Sequence, residues 1–199
     1  MRKIANGSVR RDGERGASLL ELALLLPLLV VLAFGVIDLG RLIHARLVVT
    51  NVSREGGSLA SRDIQVGDAL ITMLQSSATP FDLRNQGRIH VIKIKAGETR
   101  FDPLPYIDSR VSRGSYTAAS SSISGNVNDT PGGLSSTLMN HLTFRISNNT
   151  SDISEISIVE VFYHYRPITP LPNFVQNLFP DVDPSSNMRG ILIGSRAIF

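Results

Sequence analysis

Cysteine is absent from the 199 residues, so the chain has no disulfide framework and no thiolate nucleophile or metal ligand. Stability has to come from packing or from neighbouring chains. Charge imbalance is also missing once the first sixteen residues are set aside. In those, Arg2, Lys3, Arg10, Arg11 and Arg15 stand against Asp12 and Glu14 and account for the whole formal net charge of +3. The rest of the chain carries fifteen basic and fifteen acidic side chains, which cancel. The basic isoelectric point of about 9.6 is therefore a terminal feature and a topology signal, not the footprint of a nucleic-acid-binding surface.

Several catalytic signatures are lacking too: Gly-x-Ser-x-Gly, the Walker loop, the dinucleotide fingerprint, His-Glu-x-x-His and the EF-hand loop. Their absence argues against the enzyme families that use them. His44, His90, His141 and His164 are widely spaced. His90 and His164 could meet across paired strands and offer a metal two imidazoles; ordinary packing is the default reading. Asp102, Asp108, Asp181 and Asp183 fall between the periodic segments without calcium-loop spacing and read as solvated acids. The sequence thus offers no catalytic residue, no cofactor and no metal site.

What is present is a long uncharged run. Residues 22–37 are sixteen consecutive positions without a charge, and residues 17–20 extend the run on the other side of Glu21. That approaches the roughly 20 residues needed to cross about 30 Å of hydrocarbon. A basic flank before a first span places the amino terminus in the cytoplasm and the bulk of the chain outside it. Two plain readings are an uncleaved signal anchor and a secretory signal cut after the small residues around 33–35. An ordinary signal core, however, has about 7 to 15 apolar residues and no acid. Glu21 is the residue that discriminates.

A carboxylate inside a span costs on the order of 2.5–3.5 kcal/mol at mid-bilayer and less near an end, so an intramembrane acid is a functional candidate by default. A cut between Gly16 and Ala17 would give Glu21 a purpose. The new amine, with a reference pKa of about 7.7–8.0, would be largely cationic at neutral pH. Glu21 would be the fifth residue of the mature helix, near the positive end of its dipole.

At these residues the sequence resembles the TadE/TadF pseudopilins of the Flp (tight adherence, type IVc) pilus system. In that family a basic leader ends in Gly, prepilin peptidase cuts after it, and Glu stands at the fifth mature position before an apolar helix. Gly16, Glu21 and the Leu26-Pro27 pair fit that pattern. Asp38-Leu39-Gly40-Arg41 is similar to the family's acid-aromatic-Gly-Arg exit, with Leu39 in place of the aromatic, and Asn51-Val52-Ser53-Arg54-Glu55-Gly56 matches its Asn-x-x-Arg-Glu-Gly segment. Gly57 replaces the usual small Ala. The likeness covers roughly residues 10–62.

Downstream, Leu39, Leu42, Ile43, Leu47, Val49 and Val52 form an imperfect helical stripe able to pack on a sheet, and Gly56 and Gly57 are expected to weaken or end the helix. Pro27 is tolerated within a span, with a bend expected there. Residues 67–77 read as a short helix closed by Pro80. Residues 88–95 read as a strand whose Lys93 and Lys95 share a face with Ile89 and Val91 and meet solvent. Residues 109–136 hold nine Ser and four Gly and read as a long mobile surface loop, with a contact patch as the functional alternative. Residues 141–147 and 153–166 read as strands. The second is apolar on both faces and so central, and it ends in a Tyr-rich exit that resembles the Pro-Leu-Thr-Pro-like turn of TadE-like domains. Pro167 stops its ladder. A helical turn over 174–179 and a last strand or buried tail over 191–199 follow.

The expected fold is α+β, pilin-like: a long N-terminal helix packed on a small antiparallel sheet. The segments are a disordered basic leader at 1–16, a transmembrane helix at 17–38, an amphipathic extension at 39–62 and an α+β periplasmic domain at 63–199. The resemblance implies a non-enzymatic minor pseudopilin in the inner membrane, with a periplasmic or extracellular domain. Gly16 and Ala17 would be its processing residues and Glu21 its assembly residue. Its implied partners are prepilin peptidase, other pseudopilin and Flp pilin subunits, the inner-membrane assembly platform and membrane lipid. The alternatives are a single-pass anchor holding a periplasmic binding or enzymatic domain, and a secreted protein starting after Gly35.

Overall fold

A computed structural model of the chain describes residues 10–62, 67–147, 149–169, 181–183 and 188–199, with the backbone alone for 10–18, 181–183 and 188–189. One helix, α1 (Arg10–Ala60), dominates it with 51 residues, about 76 Å at ~1.5 Å per residue. It runs unbroken through Pro27. Two expectations about its ends are corrected. Residues 10–16, read as disordered leader, are helical; once a long apolar helix exists, each added residue escapes the cost of nucleation. At the other end the helix continues through Gly56 and Gly57 to Ala60, because these glycines face the core.

The rest of the order is α2 (Asp68–Ser77), α3 (Leu83–Gln86), β1 (Gly87–Lys95), β2 (Tyr106–Arg113), α4 (Ser136–Leu142), β3 (Glu155–Tyr165), β4 (Asp181–Asp183), β5 (Met188–Arg189) and β6 (Ile191–Ile198). Four strands form one antiparallel sheet in the order β2-β1-β3-β6, and β4 pairs with β5 separately. The fold is therefore α+β, a long N-terminal apolar helix on a four-stranded antiparallel sheet. The central position of β3 follows from its composition. Val159, Val161, Tyr163 and Tyr165 face one side while Ile156 and Ile158 face the other, and all six are buried.

The two faces build separate cores. On the α1 side, Ala45, Val49, Val52 and Ala60 meet Ile89, Val91, Val159, Val161 and Ile193, and α2 closes the flank with Leu70, Ile71 and Leu74. On the far side, Ile92, Ile94, Ile107, Ile156 and Ile158 are covered by Ile123 and Leu142.

That cover corrects the reading of 109–136 as a mobile surface loop. Its first residues complete β2, and the remainder crosses the sheet with Tyr116, Ala119 and Ile123 buried. A serine-rich segment can lie there because the sheet beneath it carries buried polar groups that need donors and acceptors. Residues 141–147 are not a strand either: α4 ends at Leu142, started by the Ser135 hydroxyl accepting the Leu138 N–H. Lys93, expected at the solvent, is buried and 3.2 Å from the Glu155 carboxylate; Lys95 is partly exposed and pairs with Asp108 at 2.9 Å. The helical turn expected at 174–179 lies outside the described residues.

Candidate functional site

The candidate functional residues lie along α1, and the helix passes through two environments. From Leu19 to Ile37 its large side chains, apart from the half-buried Phe34, are uncovered: Leu24, Leu28 and Leu32 are 71%, 62% and 60% exposed. The described stretch Leu19–Ala60 contains an 18-residue window of mean hydropathy 2.7, none of it buried, long and apolar enough to cross a membrane. Glu21 sits exposed near the start of this stretch. Gly16 and Ala17 lie inside α1, several residues past its start at Arg10. Ala17 and Glu21 are four residues apart, one turn along the same helical face, with an axial rise of about 6 Å. An amine created at Ala17 would therefore start one turn below the carboxylate.

Immediately beyond the uncovered stretch comes Asp38, which is only 7% exposed. Its carboxylate accepts hydrogen bonds from the Ile168 N–H at 3.1 Å and from the Thr169 hydroxyl, and its backbone carbonyl accepts from the Tyr165 hydroxyl at 3.0 Å. These bonds clasp the end of β3 and the Pro167-containing exit to the helix at the level where the apolar run stops. Pro167 ends the strand ladder, which frees the next backbone N–H to turn toward Asp38. Farther along the helix, the Ser53 and Ser195 hydroxyls meet at 2.8 Å, joining α1 to β6. The joint is tightest at the two glycines. A Cβ at Gly56 would fall 2.7 Å from Leu74 Cδ1 and 3.0 Å from Val159 Cγ1, and one at Gly57 would overlap the Phe199 ring. Only residues without a side chain let the helix backbone come this close to β3 and β6.

Residues 16–58 match the family model described as TadE-like protein. The TadE-like segment therefore begins at Gly16 and ends one residue after the glycine joint. It holds Glu21, the uncovered span, Asp38 and both glycines, and it implies a Tad pilus-related role with a membrane-anchoring N-terminal helix. The sheet that it carries lies outside the match. No curated protein and no solved structure matches the chain.

Within the TadE-like segment, Asn51, Arg54 and Glu55 are exposed, whereas Val52, Ser53 and Gly56 are buried. The motif is thus split between a face that packs and a face that the fold leaves open. Sequence reading quoted Asp38 but missed its partners, Tyr165 and Thr169. The available signal was an acid set directly after an apolar run, a place where an unpaired charge is costly.

The pairing of His90 with His164 is not made. The register sets His90 opposite Glu160 and His164 opposite Leu192. The His90 ring nitrogens contact the Ser112 hydroxyl at 2.7 Å and the Ala119 carbonyl at 3.2 Å, while His164 stacks on Tyr116 at 5.0 Å. Burial, only partly offset by the Ala119 carbonyl, holds the His90 pKa below its ordinary value, so the ring stays neutral at pH 7. Among the described residues no group of three or more His, Asp or Glu gathers as a metal site. Sequence reading also missed Glu160, 2% exposed on the sheet's covered face. It accepts from the Ser122 N–H at 3.2 Å, from the Ser122 hydroxyl and from Arg196 Nε at 2.9 Å. Burial raises its pKa, but the Ser121, Ser122 and Arg196 bonds outweigh that and leave it below the usual carboxylate value. The serines of the supposed loop therefore serve as the ligands of a buried carboxylate.

Proposed function

We propose that the chain is a minor pseudopilin of a Flp/Tad pilus, cut by a prepilin peptidase between Gly16 and Ala17, held in the inner membrane by α1, and active in pilus assembly and surface adhesion. The observation that carries this reading is the TadE-like match beginning at Gly16, the residue before the cut. Its amino terminus faces the cytoplasm and the sheet lies in the periplasm or outside the cell, in line with the basic residues 2–15. After cleavage the Ala17 amine is neutralised by a Glu21 carboxylate, from its own or a neighbouring helix, within a low-dielectric bundle where an unpaired charge is expensive. The uncovered leucines pack against helices of other pseudopilin and Flp pilin subunits, and the assembly platform extracts the chain from lipid. No step involves turnover.

The helical placement of Gly16 adds a requirement. A peptidase needs the bond presented outside a regular helix, and Gly13 and Gly16, each about 1 kcal/mol poorer than Ala as a helix former, make that segment the easiest part of α1 to open.

The test is the amino-terminal sequence and intact mass of the membrane-extracted chain from cells with and without their prepilin peptidase. The expected result is a start at Ala17 only when the peptidase is present. A start at Met1 in both strains would overturn the processing reading and leave an anchored domain.

A further inference from the structure

Beside the Asp38 clasp lies a cavity of about 240 Å³ lined by Arg41 and Arg166, by Asp82 and Gln86, and by the rings of Phe81 and Tyr163. Arg41 stands one turn beyond the last residue of the uncovered apolar run, and Arg166 belongs to the strand exit that Asp38 holds. Both guanidinium side chains belong to exposed residues, and among the described residues neither makes an ion pair. Asp82 is already committed: its carboxylate accepts the Arg84 and Asn85 N–H groups that start α3, at 3.1 and 3.0 Å, and the Asn85 side-chain amide at 2.6 Å. The walls are stiff. Phe81 packs edge-on between His44 and Tyr163, with centroids 5.2 and 5.5 Å away, and the Tyr163 hydroxyl donates to Gln86 at 3.0 Å.

From these observations we infer that the cavity is a phospholipid headgroup site in which Arg41 and Arg166 hold the phosphodiester. The inference rests on the reading of α1 as a membrane anchor and adds a ligand to it.

Three features favour a lipid over a soluble anion. The first is depth. Arg41 is four residues past Ile37, about 6 Å along the helix, and the headgroup layer on each side of the ~30 Å hydrocarbon core is about 5–7 Å thick. The second is donor chemistry. The carboxylates near the two guanidinium groups, Asp38 and Asp82, are both held by hydrogen bonds of their own, and Arg presents the planar donor fork suited to phosphate oxygens. The third is shape. The cavity is smaller than the roughly 300 Å³ at which pockets for whole small molecules begin. It takes a headgroup while the acyl chains lie outside along the uncovered leucines of α1, and Ile168, 61% exposed at the cavity mouth, extends that apolar surface.

The test uses the full chain reconstituted in phosphatidylcholine nanodiscs containing phosphatidylglycerol, then extracted into mild detergent, with retained phosphatidylglycerol counted by native mass spectrometry. The expected result is one phosphatidylglycerol per wild-type chain and about thirtyfold weaker retention in R41Q/R166Q, from two arginines acting at an anionic surface. R46Q/R54Q removes the same charge from exposed sites on α1 outside the cavity and should retain lipid as wild type does; R41K should keep part of the binding. Thermal melts of every variant establish that the sheet domain is intact. Equal retention in wild type and R41Q/R166Q, or equal loss in R46Q/R54Q, overturns the site. Displacement of the lipid by inorganic phosphate overturns the lipid assignment in favour of a soluble anion. Alkaline extraction of membranes is run in parallel. Wild type released by alkali overturns the anchor reading and the lipid site with it, whereas wild type retained in the membrane without lipid selectivity overturns the site alone.

Discussion

The inner and outer halves of α1 are one continuous helix written for two surroundings. Between Leu19 and Ile37 the helix is apolar nearly all round, built of large side chains, and almost wholly uncovered by its own fold. Between Asp38 and Ala60 the buried positions are small or narrow, namely Ala45, Val49, Val52, Ser53, Gly56, Gly57 and Ala60. A helix whose sides all meet an apolar surrounding gains by being bulky everywhere. A helix laid on a sheet gains by being thin along one stripe, so that backbones approach and strand side chains interdigitate. Asp38 marks the change, and its hydrogen bonds go to the sheet domain.

Glycine gives the sharpest way to break this comparison, because the same residue type occurs in both settings, packed and open. Gly56→Leu would force an isobutyl group between Leu74 and Val159, both fully buried, and should cost about 3 kcal/mol of domain stability. Gly57→Leu should cost less, because the ring it meets belongs to the half-exposed Phe199, whose side chain can swing toward solvent. A Cβ at Gly40 would meet nothing within 4 Å, so Gly40→Ala should stabilise by about 0.5–1 kcal/mol through helix propensity alone. Urea unfolding of the detergent-solubilised chain, followed by circular dichroism, reads all three. Equal effects at positions 40 and 56 would refute the idea that packed and open stretches of the helix obey different rules.

The second prediction contrasts buried with exposed acids. Glu160 has its pKa held below the usual carboxylate value by the Ser121, Ser122 and Arg196 bonds in spite of burial. The unfolded chain therefore binds a proton before the folded one does. The stabilisation is complete above the unfolded carboxylate pKa of about 4.3 and is lost as pH falls through the lower folded value. Hydrogen bonds to a charged group are worth about 1.5–3 kcal/mol, which sets the scale of the loss below the carboxylate range. Glu160→Gln should flatten this part of the stability profile. His90 acts in the same direction at higher pH, since its depressed pKa makes the unfolded chain bind the extra proton below about 6.5.

Much of this organisation was legible in the sequence. The uncharged run from 22 to 37 marked the stretch of α1 that the fold leaves uncovered, and the two apolar parities of 155–165 placed β3 inside the sheet. What failed did so for a common reason. Gly56 and Gly57 read as helix breakers because propensity describes an isolated helix, whereas here close approach to β3 and β6 outweighs it. The serines of 109–136 read as solvated because their partners, Glu160 and His90, lie in strands more than a dozen residues away, and no local pattern announces a buried carboxylate. Asp38 carried a motif likeness but gave no sign of Thr169, 131 residues on.

The third prediction tests the border between the halves. Asp38→Ala removes the acceptor used by the Ile168 N–H and the Thr169 hydroxyl, but Ile168 is 61% exposed and its N–H can turn to water. The global cost should therefore be about 1 kcal/mol, the ordinary worth of a solvated hydrogen bond. The local effect is the larger one: faster hydrogen exchange at the amides of residues 166, 168 and 169, with β1 unchanged. Asp38→Asn, which keeps an acceptor, should restore part of the protection.

Glu21→Ala should have the smallest effect on the fold and the largest on assembly, which makes it the cleanest separation of the two halves. Glu21 is exposed on a stretch of α1 that the sheet domain does not cover, so its removal leaves every described contact of that domain in place, and the unfolding curve of the outer domain should be unchanged within error. In cells, under the pseudopilin reading, the mature Ala17 amine then has no carboxylate partner in the bundle. Processing should proceed while pilus number falls sharply, counted by electron microscopy beside the amino-terminal sequence of the extracted chain. If Glu21→Ala lowers the domain's stability, the inner half is part of the fold after all. If it leaves pili unchanged, the carboxylate is not the amine's partner, and the inner half is an anchor and nothing more.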